Sequence, residues 1–207
     1  MAIEFRTRKD PHRADVHGVH SLDGFVFTVP DLDEAARFYD AFGLETKRVG
    51  ERLDLCTSGY PHAWGSLYAA PGPKKLQYLR FGCFAEDFDA IAARIERLGV
   101  ERSAPHPLGD AEGLWVQHPD GFPVQIAVAA KSTPDLPAEK PVEPPVPPGT
   151  GASLARSKIP KVHPRRLSHV LLFSPDVSRA IRFYEDALGL RLTDRSADLV
   201  VFMHGAH

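Results

Sequence analysis

The apolar positions of this chain run through the same course twice. Phe25–Val29 is a short apolar run, stopped by the pair Pro30-Asp31. Leu32, Ala35, Tyr39 and Phe42 then recur three or four positions apart, the spacing that places side chains on one face of a helix. Asp31 stands where a carboxylate accepts the free N–H groups of that helix, Glu34 completes a capping-box pattern, and Gly43 supplies a left-handed residue to end it. Val170–Phe173, the pair Pro175-Asp176, the helical set Val177, Ile181, Tyr184 and Leu188, and finally Gly189 repeat the course. Gly24 and His169 are 145 positions apart, as are Asp31 and Asp176, whereas Gly43 and Gly189 are 146 apart. The second helix therefore carries one extra residue, and the two stretches form an internal repeat.

Strand-like runs follow each helix, at Leu53–Cys56 and Gly65–Ala70 in the first copy and Leu199–Met203 in the second. A further half-repeat lies inside the first copy. Leu76–Phe81 reads as a strand, Phe88, Ile91, Ile95 and Leu98 as a helix closed by Gly99, and Leu114–Gln117 with Val124–Val128 as a hairpin around Pro119-Asp120-Gly121. Strand, helix, strands, twice over, predicts an antiparallel sheet with one covering helix per unit, the α+β class. Seven prolines crowd between Pro134 and Pro148 in text without apolar periodicity, so 131–165 reads as an extended linker. The chain then divides into an N-terminal extension (1–20), a first module (21–130), the linker, and the first part of a second module (166–207), which is short for independent folding.

Composition narrows the function classes. Lys+Arg 25 against Asp+Glu 27 leaves a charge of -2, so no global positive field recruits nucleic acid or anionic lipid. The start, MAIEFRTRKD, lacks an apolar leader core, and no apolar run reaches the ~20 residues of a membrane span. Cys56 and Cys83 are too few for a disulfide scaffold, and the cytoplasm is the expected compartment. The basic run RSKIPKVHPRR lacks interleaved aromatics and reads as solvated linker. No G-x-S-x-G, C-x-x-C, P-loop or G-x-G-x-x-G occurs, so acyl transfer, thiol redox and nucleotide chemistry find no support.

Three stretches carry a resemblance: Leu167–Val170 (L-x-H-V) with its Pro-Asp turn, Arg182–Leu190 (RFYEDALGL) and His118–Ile126 (HPDGFPVQI). With the repeat, they resemble the vicinal oxygen chelate superfamily, which includes glyoxalase I, bleomycin-resistance proteins and type I extradiol ring-cleavage dioxygenases. The resemblance implies paired βαβββ modules whose sheets form a cup, complete over 21–130 and begun over 166–207. The family's three metal-ligand positions fall in the first module on Gly24, Tyr78 and Gln125, a set unsuited to iron. In the second copy the first ligand position is His169. A metal-free module followed by one that begins with a ligand histidine is similar to the extradiol group. It implies Fe(II), with Mn(II) as the alternative, acting on a small aromatic diol with O2 in a homo-oligomer. The remaining ligands and the acid/base residue would lie beyond His207. Two other readings stay open: a metal-free glyoxalase/bleomycin-resistance-type module that binds a small molecule, and a structural remnant that pairs its sheet with a second chain.

Other candidates have plainer readings. His17 with His20, and His204 with His207, form H-x-x-H pairs that could chelate a metal, although such pairs are ordinarily solvated loop residues. Glu86-Asp87 at a helix start is explained by capping. Trp64 and Trp115 read as core, and Phe38, Tyr39, Phe183 and Tyr184 as core or helix surface.

Overall fold

Among the described residues, nine strands and three helices follow in chain order. They are β1 (Ser21–Val29), α1 (Leu32–Phe42), β2 (Glu45–Val49), β3 (Arg52–Thr57), β4 (Tyr60–Ala69), β5 (Lys75–Cys83), α2 (Ala85–Arg97), β6 (Leu114–Gln117), β7 (Pro123–Val128), α3 (Val177–Arg182), β8 (Arg191–Ser196) and β9 (Val200–His204). This computed structural model describes residues 12–131, 163–197 and 199–207, so most of the linker 131–165 and the first part of the extension 1–20 lie outside the described residues. The first seven strands make one sheet in the order β2-β3-β4-β1-β5-β7-β6. The sheet is mixed, because β1 lies parallel to β4 and β5 parallel to β7, each pair joined through a helix, while the remaining neighbours are antiparallel. Strands β2 and β8 had no apolar signal in the sequence. β2 is an edge strand with three exposed positions and every residue of β8 is exposed, so their charged side chains face water.

The pleat sorts the sheet into two faces. On one face α1 covers Val29, Leu53, Leu55 and Leu67, and α2 covers Leu79, Phe81, Val124 and Ile126 with Leu114 and Val116. At α1 the N-cap and C-cap are those the sequence indicates, since Asp31 accepts the N–H groups of Asp33 and Glu34 and Gly43 closes the helix at φ 108. No bond from the Glu34 carboxylate to the Asp31 N–H completes the expected capping box. At α2 the capping reading fails. The N-cap is Phe84, no side chain caps the helix, and Asp87 turns its fully buried carboxylate elsewhere.

In the second copy the extra residue has a visible place. α3 runs directly into a π-helical turn, Phe183–Ala187, the form an α-helix takes when one residue is inserted. The turn carries Phe183, Tyr184 and Ala187 into the core under α2, so both copies share one apolar interior. Val170–Phe173, expected as a strand, pairs with no strand among the described residues. Its counterpart β1 lies between β4 and β5, and no second-copy equivalents of those two strands occur among the described residues. The exposures differ accordingly: Val26 is 6% exposed beneath Tyr78 and Trp115, whereas the matching Leu171 is 72% exposed.

The segment 12–20 ends in three buried residues, Gly18, Val19 and His20. The Val19 N–H donates to Leu188 O, and Val19 O accepts from the Ala206 N–H, so this strap lies between the end of α3 and the segment after β9. The fit is close enough that a Cβ on Gly205 would stand 2.1 Å from His20 O. Arg94 of α2 adds donors to Ala187 O at 3.1 Å and His17 O at 2.7 Å. No helix among the described residues is long and apolar enough to cross a membrane.

His118 sits in the same joint, stacked on Phe122 at 4.2 Å and edge-on to Phe183 at 4.9 Å. Burial pushes its pKa down to about 4, against the opposing pull of Asp120. Between pH 6.5 and about 4 the unfolded chain binds the proton that folded His118 refuses. The stability tied to neutral His118 is therefore complete above pH 6.5 and lost as the pH falls to about 4, an effect on the order of 3 kcal/mol. Urea unfolding at neutral and acid pH is expected to show this slope in the chain and a flatter one in His118→Phe.

Candidate functional site

The sheet face opposite the helices is polar and concave. Residues of β1, β3, β4 and β5 line a cavity of about 900 Å³ there, together with the loop 107–110 and the end of β7 with the two residues after it. Across β1, β5 and β7 the register aligns Gly24 with Arg80 and Arg80 with Gln125. Two of the three expected ligand positions, Gly24 and Gln125, thus lie in one row, but the β5 member of the row is Arg80 and not Tyr78. Tyr78 stands opposite Val26, one pleat along the same face. Burial raises its pKa to about 12, which keeps the hydroxyl protonated and a poor metal donor. Its O–H instead points to Leu108 O at 3.4 Å.

Arg80 is tied from both sides. Its Nε lies 3.0 Å from Asp23 Oδ2 and its Nη1 3.5 Å from Asp110 Oδ2. A register shift in β1 between Leu22 and Gly24 lifts Asp23 out of the regular pleat and lets it reach across. His62 Nε2 donates to Asp23 O at 2.7 Å, and Gln125 Nε2 donates to Asp110 Oδ1 and to Glu112 O. A second pair, Arg52 with Asp54 at 3.0 Å, lies further along the same face, and Ser66 Oγ donates to Asp54 at 2.6 Å.

His169 lies in the second copy, exposed, on the segment that no strand pairs. It lines a second cavity of about 1230 Å³ between the two copies, whose walls also carry His118, Tyr184 and His204. Among the described residues His169 belongs to no group of three clustered donors, so it offers one imidazole where a facial 2-His-1-carboxylate site needs three protein ligands.

The H-x-x-H pairs do not chelate as pairs, because the fold separates their members. His20 is 2% exposed and joins Ala129 O at 2.9 Å and Ser21 Oγ at 2.8 Å, while His204 is exposed beside Gly205 O. The other member of each pair turns to Asp87. His17 Nδ1 stands 3.0 Å from Asp87 Oδ1, His207 Nε2 2.9 Å from Oδ2, and His12 Nε2 3.3 Å from Oδ1. The expectation of solvated loop histidines is therefore corrected for His20 and His207, whose rings are buried. Burial pushes the Asp87 carboxyl up, but bonds from His17, His12 and His207 outweigh it and hold the group below its usual range.

His12, Asp87 and His207 place one donor atom each within 4.8 Å of one another, two nitrogens and an oxygen. The backbone decides how they work. The Arg13 N–H donates to His207 Nδ1 at 3.1 Å, which puts the ring proton on Nε2, where a metal would need the lone pair. The cluster is a hydrogen-bond clasp on a buried carboxylate, joining the strap, α2 and the segment after β9. Its signal was absent from the sequence, since the partners lie 70 to 120 positions from Asp87. Asp87→Ala leaves these imidazoles without their acceptor. The expected loss is about 3 kcal/mol in urea unfolding, with faster proteolysis within 12–20.

Comparison with known proteins places this geometry. Residues 21–126 and 166–206 match the model of the Glyoxalase/Bleomycin resistance protein/Dioxygenase superfamily. Metapyrocatechase 2 of Cupriavidus necator is 40% identical over 210 residues, a match that takes in 96% of this chain and 65% of the relative. The chain thus spans just under two thirds of that relative's length. Among solved structures, a Mn(II)-bound glyoxalase from Novosphingobium aromaticivorans is 23% identical with a TM-score of 0.63, over 91% of this chain and 59% of that one. A homoprotocatechuate 2,3-dioxygenase variant from Brevibacterium fuscum is 22% identical with a TM-score of 0.62, over 92% of this chain and 52% of that one. The likeness to these structures shows the α+β fold of paired strand-helix-strand modules. By that fold and by the family match over both copies, the chain belongs to the glyoxalase/bleomycin resistance protein/dioxygenase superfamily.

Proposed function

We propose that this chain forms the first module and the opening of the second module of an extradiol ring-cleavage dioxygenase, which uses Fe(II) and O2 on a small aromatic vicinal diol. The observation that carries the reading is the 40% identity to metapyrocatechase 2 over 96% of the chain. In this reading 21–130 is the module without iron, 131–165 the linker and 166–207 the first part of the module with iron. His169 is the first metal ligand, held by a ring nitrogen, and the other two donors come from strands outside the described residues. Ring opening needs a redox metal with open positions for diol and dioxygen side by side, and imidazole and carboxylate donors accept Mn(II) as well as Fe(II).

Two features of the second copy support this division. His169 is exposed toward a cavity large enough for an aromatic ring. Leu171, Phe173 and Leu199 are 72%, 92% and 82% exposed, apolar side chains that further strands of a second module would cover. The free, buried cysteines Cys56 and Cys83 suit the reducing cytoplasm.

The test joins the final third of metapyrocatechase 2 after His207 and measures iron per chain after anaerobic loading, then catechol cleavage. The joined protein is expected to retain about one iron and to cleave catechol. His169→Ala is expected to lose both, and the 207-residue chain alone to retain far less iron. Iron retention that His169→Ala leaves unchanged would overturn the ligand assignment. A joined protein that folds but retains no iron and cleaves no catechol would overturn the dioxygenase reading and favour the metal-free binding module instead.

A further inference from the structure

The cup of the first module has no part in the iron chemistry proposed above, yet it is built like a binding site. Its volume of about 900 Å³ is that of a small-molecule pocket. Tyr60, Tyr68 and Tyr78 supply aromatic wall. Arg52 and Arg80 supply fixed donors, because Asp54 holds the first, and Asp23 with Asp110 holds the second. Their side chains remain 40% and 33% exposed, and both line the cavity. Held guanidiniums lose little side-chain freedom when a ligand oxygen arrives.

The charges around the cavity select the ligand. Of the charged residues that line the cavity, Asp23 and Asp110 balance Arg52 and Arg80, while Asp54 stands behind Arg52, so the lining carries no net charge. An anionic ligand gains no net attraction there, whereas a neutral hydroxyl can accept from a guanidinium and donate to a carboxylate. Gly24 leaves the floor open. A Cβ at this position would lie 3.5 Å from Trp64 O and 3.6 Å from Ala63 O, ordinary contact distances, so a side chain there is tolerated by the backbone.

We propose that this cup is a second small-molecule site, separate from His169, and that it takes a neutral phenol with its ring against the tyrosines and its hydroxyl against the cavity side of the Arg80–Asp23 pair. The inference stands apart from the dioxygenase reading, because it needs no metal. An aromatic diol shares the chemistry, so the substrate class proposed above would also occupy the cup.

Phenol itself is the probe, since one hydroxyl cannot chelate a metal through two oxygens. The 207-residue chain is titrated with phenol by calorimetry in the presence of EDTA, and saturable binding in about the millimolar range is expected. Gly24→Leu, which fills the floor, and Tyr60→Leu, which removes wall at the partly exposed rim, are each expected to weaken binding at least tenfold. His169→Ala is expected to leave it unchanged. Unfolding midpoints of the variants show whether a loss reflects the cup or the fold. Absence of saturable binding to the folded chain overturns the proposal. So does a loss caused by His169→Ala while both folded cup variants bind as before. Benzoate binding more tightly than phenol overturns the assignment of a neutral ligand. Failure of the cup leaves iron retention untouched, and failure of iron retention leaves the cup untouched, so the two readings are separated.

Discussion

A carboxylate shut away from water must find hydrogen-bond donors, and Asp87 on α2 meets that demand from far along the chain. His12 and His17 come from the strap before β1, and His207 from the segment after β9. With Asp87 satisfied, Val19 takes its place between Leu188 and Ala206, and Arg94 closes on the carbonyls of His17 and Ala187. The second copy's helix then has one position relative to α2, and its Phe183, Tyr184 and Leu188 complete the interior. Apolar burial supplies the larger driving force, but it is without direction, and the clasp gives the joint its geometry.

The sheet makes a second division, between its faces. Leu79 and Phe81 turn to α2, while Tyr78 and Arg80, their neighbours on β5, turn to the cup. The same backbone thus carries a core and a polar site one residue apart. In the cup, a guanidinium clamped between Asp23 and Asp110 occupies the row of Gly24 and Gln125. That arrangement presents hydrogen-bond donors to a ligand rather than lone pairs to a metal.

Some elements were legible at once. Leu114–Gln117 was read to its last residue, and Asp31 and Gly43 mark α1 because caps are local chemistry. The one-residue change in repeat spacing was visible too, though only the fold showed it as a π turn that keeps Phe183, Tyr184 and Ala187 inward. β2 and β8 escaped notice because exposed edge strands need no apolar alternation. Val170–Phe173 has a strand's composition but not its structure, since a strand exists only through a neighbour.

By itself, then, the sequence determined the repeat, the α+β class, the helices with the N-caps of α1 and α3, and the family, all of which rest on short-range spacing and residue type. The tertiary structure decided that Arg80 rather than Tyr78 joins Gly24 and Gln125, that the H-x-x-H pairs part company, and that Asp87 is a clasp rather than a cap. Those outcomes depend on register and on contacts between residues 70 to 120 positions apart, which no local pattern encodes. Strand pairing and burial fix them, because only the folded sheet determines which side chains share a face and which buried charge must be answered.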